Sequence, residues 1–233
     1  MGIVSSTVAE SDKQVELRPP KGLLALSAAL FLIANLSANK LPHMASVLHI
    51  PGTHWNWSGK ITAIALSCVV MMYSPWLRLN VGLRWKQSTG SLRVSLLCFL
   101  LCLGGGIASG LYFWPTAFSL ETLLFQALMP TLDEELSFRG IALALAEREC
   151  GGSPMSCRLH YGRAAFILSL VFALMHSVGM EYGRLSFDLF PLFGTFFFAS
   201  MATIARARSG SLLWPMLCHS VWNVAAFGIS MMR

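Results

Sequence analysis

The chain has 233 residues, 55% of them hydrophobic and only 12% charged, whereas a soluble domain carries about 25% charged residues. With a mean hydropathy of +0.61, this excludes an ordinary soluble globule and leaves room for one compact bundle of apolar segments. The net charge of +6 sits in short loops, where it sets orientation in a membrane rather than binding nucleic acid.

In chain order, residues 1–22 are polar and read as a cytoplasmic tail. Apolar runs follow at about Leu23–Ala38, Ile61–Leu77, Val94–Trp114, Leu120–Ala146, Ala164–Val178, Phe187–Ala205 and Leu212–Ile229. A helix rises ~1.5 Å per residue, so ~20 residues cross a ~30 Å hydrocarbon core. The expected fold is therefore all-α: a polytopic transmembrane helix bundle of about seven spans. Three regions are expected: the tail 1–22, variable N-terminal spans 23–114, and a core 115–233.

Orientation follows from the loops. Lys13, Arg18 and Lys21 precede span one; Arg78, Arg84, Lys86 and Arg93 follow span two; Arg148, Arg158 and Arg163 follow span four; Arg206 and Arg208 follow span six. The alternate loops hold few cations, with Lys40 and Lys60 after span one and Arg184 after span five. The positive-inside rule then puts the N-terminus in the cytoplasm. His43, His49 and His54, with Trp55 and Trp57, form an outer loop whose aromatics suit a membrane interface better than a metal site. Cys68, Cys98, Cys102 and Cys218 lie in apolar runs and read as small hydrophobes. Cys150 and Cys157 flank a Gly151–Pro154 loop on the side where disulfides are rare.

Several polar residues interrupt the apolar segments. A charged side chain at the bilayer centre costs ~2.5–3.5 kcal/mol on insertion scales, so such residues mark sites. Span four carries Asp133-Glu134-Glu135 and Arg139. Residues four apart share a helix face, which pairs Glu135 with Arg139 and turns Glu134 away, available for chemistry. Asp133 points elsewhere again. His176 follows Phe172 by one turn in span five, and His219 and Asn223 share a face in span seven, with Ser211 placed to cap its first turn. At 1.5 Å per residue, Glu134, His176 and His219 lie ~20, ~18 and ~11 Å from the inner ends of their spans, within one slab. A carboxylate and two imidazoles at one level are the materials of a metal or water-activating site.

Glu134-Glu135-x-x-x-Arg139, Phe172-x-x-x-His176 and His219-x-x-x-Asn223, with Gly140 closing the first motif and Gly210–Pro215 leading into the third, resemble the three motifs of the CAAX protease and bacteriocin-processing intramembrane protease family. The resemblance covers roughly residues 119–228 and leaves spans one to three unmatched. It implies a helical membrane endopeptidase whose sunken site opens toward the cytoplasm. Carried over, Glu134 activates water. His176 assists it or binds metal, and His219 and Asn223 stabilise the oxyanion or complete a metal site. Glu135, Arg139 and Phe172 brace the site.

The metal, if the family uses one, is a single divalent ion such as zinc on Glu134, His176 and His219; the resemblance leaves a metallo- and a glutamate-type mechanism both open. The expected partners are membrane lipids and a membrane-associated peptide substrate, prenylated or leader-bearing. The expected location is a bacterial cytoplasmic membrane. The competing reading is a non-proteolytic scaffold or bacteriocin-immunity protein that keeps the fold.

Overall fold

The computed structural model describes residues 22–44, 50–149, 162–181 and 184–233. The tail, His49, Cys150, Cys157, Arg158 and the Gly151–Pro154 loop lie outside the described residues. Each predicted span coincides with a helical stretch: α1 Leu23–Met44, α2 Trp57–Tyr73, α4 Leu92–Tyr112, α5 Leu120–Glu134, α7 Arg163–Ser177, α8 Leu189–Ser209 and α9 Leu213–Met231. A short helix, α3 Pro75–Asn80, follows α2. The fourth rod continues from α5 through a π-helical segment, Glu135–Ala142, into α6, Leu143–Glu149.

Leu23–Lys40, Leu92–Tyr112 and Leu189–Ser209 are long and apolar enough to cross a membrane; Trp57–Tyr73 and Arg163–Ser177 are apolar but shorter.

The second run departs from the sequence reading at both ends. The second run starts earlier, at Trp57, because the Asn56 side chain accepts the Gly59 N–H at 3.0 Å and caps the helix. It stops at Tyr73 because Pro75 follows, and Ser74 caps α3 by accepting from the Leu77 N–H. The fold is also not wholly helical. Val178–Glu181 (β1) and Arg184–Phe187 (β2) form an antiparallel hairpin between α7 and α8, Val178 opposite Phe187 and Glu181 opposite Arg184.

Alternating direction gives the bundle two ends. At one end the 81–91 loop is held under the α8–α9 turn. The Leu212 N–H donates to the Gly82 carbonyl at 2.9 Å, Arg84 Nε to the Gly210 carbonyl at 2.8 Å, and Trp214 Nε1 to Gln87 Oε1 at 2.6 Å. Gly210 closes α8 in the left-handed region at φ 69°, and a Cβ there would run into the Arg84 guanidinium. Ser211 Oγ accepts the Leu213 N–H at 3.2 Å and donates to the Arg84 carbonyl, but the N-cap position of α9 is Leu212, which has no side-chain cap. At the opposite end, the 53–57 segment sits on the first turn of α5. The His54 and Trp55 N–H groups and Trp57 Nε1 all donate to the Glu121 carboxylate.

Helices α4 and α9 meet closely through Gly106 and Gly110, spaced as small-x-x-x-small. A Cβ on either would come within 2.5 Å of the Trp222 or Ala226 carbonyl. Cys98, Cys102 and Cys218 are buried and free; Cys68 is free but exposed.

Candidate active site

The fourth rod explains most of the site. Pro130 lies inside α5 and has no N–H to give the Gln126 carbonyl one turn back. Asn223 Nδ2, from α9, donates to that carbonyl at 3.2 Å and also lies 3.3 Å from Gln126 Oε1. Just beyond, the rod widens into the π-helical segment, whose eight residues are all buried. Such insertions are rare and cluster at functional sites. The three successive acids point in different directions around the rod, the last of them, Glu135, from the first position of this segment.

Glu135 points inward and is fully buried. Its Oε1 accepts from Arg139 Nη1 at 3.2 Å and from His219 Nδ1 at 2.7 Å. The i,i+4 pair read from the sequence is therefore present, and it also fixes the third motif. The Arg139 guanidinium lies 4.3 Å from the centroid of the Phe172 ring, and the His176 ring centroid lies 4.5 Å from that of the same phenyl. Phe172 thus lies against both side chains.

Glu134 points toward a cavity of about 530 Å³. Its Oε1 accepts from Lys60 Nζ at 2.7 Å. Its Oε2 has no hydrogen-bond partner among the described residues. That oxygen lies 3.8 Å from His176 Nε2 and 4.0 Å from His219 Nε2. His176 Nδ1 is 2.7 Å from the Phe172 carbonyl, which can only accept, so Nδ1 carries the proton. His219 Nδ1 likewise donates to the Glu135 carboxylate. In the neutral form both imidazoles aim an Nε2 lone pair at the same unpartnered carboxylate oxygen. Two acceptors, each within 4.0 Å of a third, call for a donor among them, and a water molecule supplies two O–H groups.

Asp133 is buried. Its Oδ2 accepts from Lys60 Nζ at 2.9 Å and from Asn39 Nδ2 at 3.2 Å. Lys60 corrects the sequence reading, which left it in an outer loop. It lies in the first turn of α2 and reaches into the bundle between two carboxylates. Asn39 is linked in turn to Asn56, whose Nδ2 donates to Asn39 Oδ1 at 2.9 Å. Lys60, Asn39 and Gln126 are the polar partners that motif reasoning missed. Charge counting signals the first of them: three adjacent acids with Arg139 alone need a second cation, and Lys60 stands beside an apolar run.

The fit to a metal is poor. Among the described residues no group of three or more His, Cys, Asp or Glu side chains is placed to hold an ion. The gaps of 3.8 and 4.0 Å from Glu134 Oε2 to the two imidazoles are wider by about half an ångström than the ~3.3 Å edge of a tetrahedral zinc site with ~2 Å bonds. Lys60 already supplies the positive charge on Glu134.

Residues 115–225 match the family model described as type II CAAX prenyl endopeptidase Rce1-like. The match spans all three motifs and begins after α4. No curated protein and no solved structure matches the chain.

Proposed function

For a chain whose residues 115–225 carry the signature of a protease family, we propose that it is an intramembrane endopeptidase acting through water activated by Glu134, on a bundle whose seven helical rods lie in the membrane. One observation carries the reading: the free carboxylate oxygen of Glu134 and two imidazole Nε2 atoms converge on one point at the wall of a cavity.

Water held there donates to Glu134 Oε2 and to one Nε2, and turns an oxygen lone pair toward the cavity. As it attacks a peptide carbonyl, Glu134 takes its proton, the step a positioned general base contributes. Lys60 and Asp133 hold the Glu134 carboxylate in one rotamer. The Glu135 carboxylate does the same for the His219 ring, 2.7 Å from its Nδ1. Glu134 then hands that proton to the leaving amine, which restores its carboxylate. Asn223 closes the wall, its amide engaged by Gln126.

A membrane-associated substrate suits the surroundings. An apolar groove of about 440 Å³ runs between α1 and α7 and meets the cavity at Leu36 and Met175. It is large enough to take a hydrocarbon chain attached near the cleaved bond.

The test is hydrolysis of lipidated and leader-type peptides by the purified protein. Glu134→Gln, which removes the base while keeping shape, is expected to lower the rate by ~10²–10⁴ without loss of fold by circular dichroism. A folded Glu134→Gln protein that cleaves at the native rate sinks this mechanism. A cellular phenotype untouched by the same substitution would favour a scaffold role instead.

A further inference from the structure

The cavity is one-sided, and the sidedness bears on which polypeptides reach it. Its floor is Ser137, Phe138, Phe172 and His219. Beneath the floor, toward the 81–91 loop, the buried Arg139, Ile141, Val81 and Leu212 fill the bundle. Its other walls belong to the opposite end: Lys40 near the end of α1, Trp55 and Asn56 before α2, Phe125 in the first turns of α5, and Phe227 near the end of α9. Lys40 is exposed, and His176, on the last turn of α7, keeps a side chain 40% exposed, against 5% for His219 at the floor.

The two ends differ in charge. Arg78, Arg84, Lys86, Arg93, Arg148, Arg163, Arg206 and Arg208 all lie at or near the end below the floor. Among the described residues the cavity end holds Lys40, Lys60, Arg184 and Arg233, and Lys60 is neutralised by Asp133 and Glu134. These cations flank short connections, the setting in which Lys and Arg fix orientation with an excess on the cytoplasmic side.

Resting on the endopeptidase reading above, we infer that the cavity opens on the non-cytoplasmic side of the membrane, so that its substrates are polypeptide segments lying outside the cytoplasm. This is opposite to the cytoplasmic opening that the motif resemblance implies, and it removes prenylated C-termini of cytoplasmic proteins from reach. The lining suits an extended peptide: Trp55, Phe125 and Phe227 offer apolar faces to its side chains.

The test has two arms. Single cysteines are introduced as Lys40→Cys at the cavity rim and Thr89→Cys in the exposed 81–91 loop, and intact cells are treated with a membrane-impermeant maleimide, the wild-type chain setting the background of native cysteines. Lys40→Cys is expected to label in intact cells, and Thr89→Cys only after permeabilisation. The reverse pattern, or labelling of neither before permeabilisation, overturns the inference. In the second arm, the peptide that the purified protein cleaves is displayed by a single-span carrier on one side of the membrane or the other. Cleavage is expected only outside, and cleavage confined to the cytoplasmic side overturns the proposal. Failure to cleave any peptide would instead remove the endopeptidase reading, while the labelling still decides the sidedness.

Discussion

The site is assembled from two regions of unlike character. Residues 115–225, which match the protease family, supply the acids, the imidazoles and the bracing Arg139 and Phe172. Helices α1 and α2 lie outside that match, yet they deliver Lys60 and Asn39 to within 2.7–3.2 Å of Glu134 and Asp133. The matched segment carries Glu134, His176 and His219, the groups proposed to react. The N-terminal helices carry the counter-charge that keeps two adjacent buried carboxylates in place. A domain boundary drawn at residue 115 therefore separates sequences but not the site.

If that division is right, substitutions in the two regions should fail differently. The largest effect is expected from Arg139→Ala. It strands the fully buried Glu135 carboxylate, and breaking a buried pair in this way costs ~3–5 kcal/mol. Thermal unfolding of the purified protein should reveal the loss, and retention of native stability would show that Glu135 does not depend on Arg139.

Next comes Lys60→Gln. Glu134 keeps its place in the rod but loses its hold on one rotamer, and a misplacement of about 1 Å can cost ~10²-fold in rate. The fall should appear in kcat more than in KM, with Lys60→Arg recovering part of it. A Lys60→Gln protein with native kcat would confine the machinery to residues 115–225.

Asn223→Ala should be milder. It removes the donor from the Gln126 carbonyl freed by Pro130, and an unsatisfied buried acceptor costs ~1–3 kcal/mol. Stability is the readout, and its preservation would place the role of Asn223 in substrate binding instead. The smallest effect is expected from a chelator such as 1,10-phenanthroline, which should leave the rate unchanged. Loss of activity that added zinc restores would return Glu134, His176 and His219 to the position of metal ligands.

The sequence by itself determined where the helices lie, which polar residues interrupt them, and the pairing of Glu135 with Arg139 that leaves Glu134 apart. Those follow from local rules: apolar run length, and an i,i+4 spacing that holds Glu135 against Arg139 even where the helix widens. It did not determine that Lys60 enters the site, that Asn223 binds Gln126, or that residues 178–187 form a hairpin. Nor did it reveal toward which end the cavity extends. The hairpin pairs residues three to nine positions apart, and the side-chain contacts depend on partners 73 to 97 positions apart in the chain. Only the packing of α1, α2 and α9 around the fourth rod brings them together, and no periodicity along a single helix records which neighbour its polar face will meet.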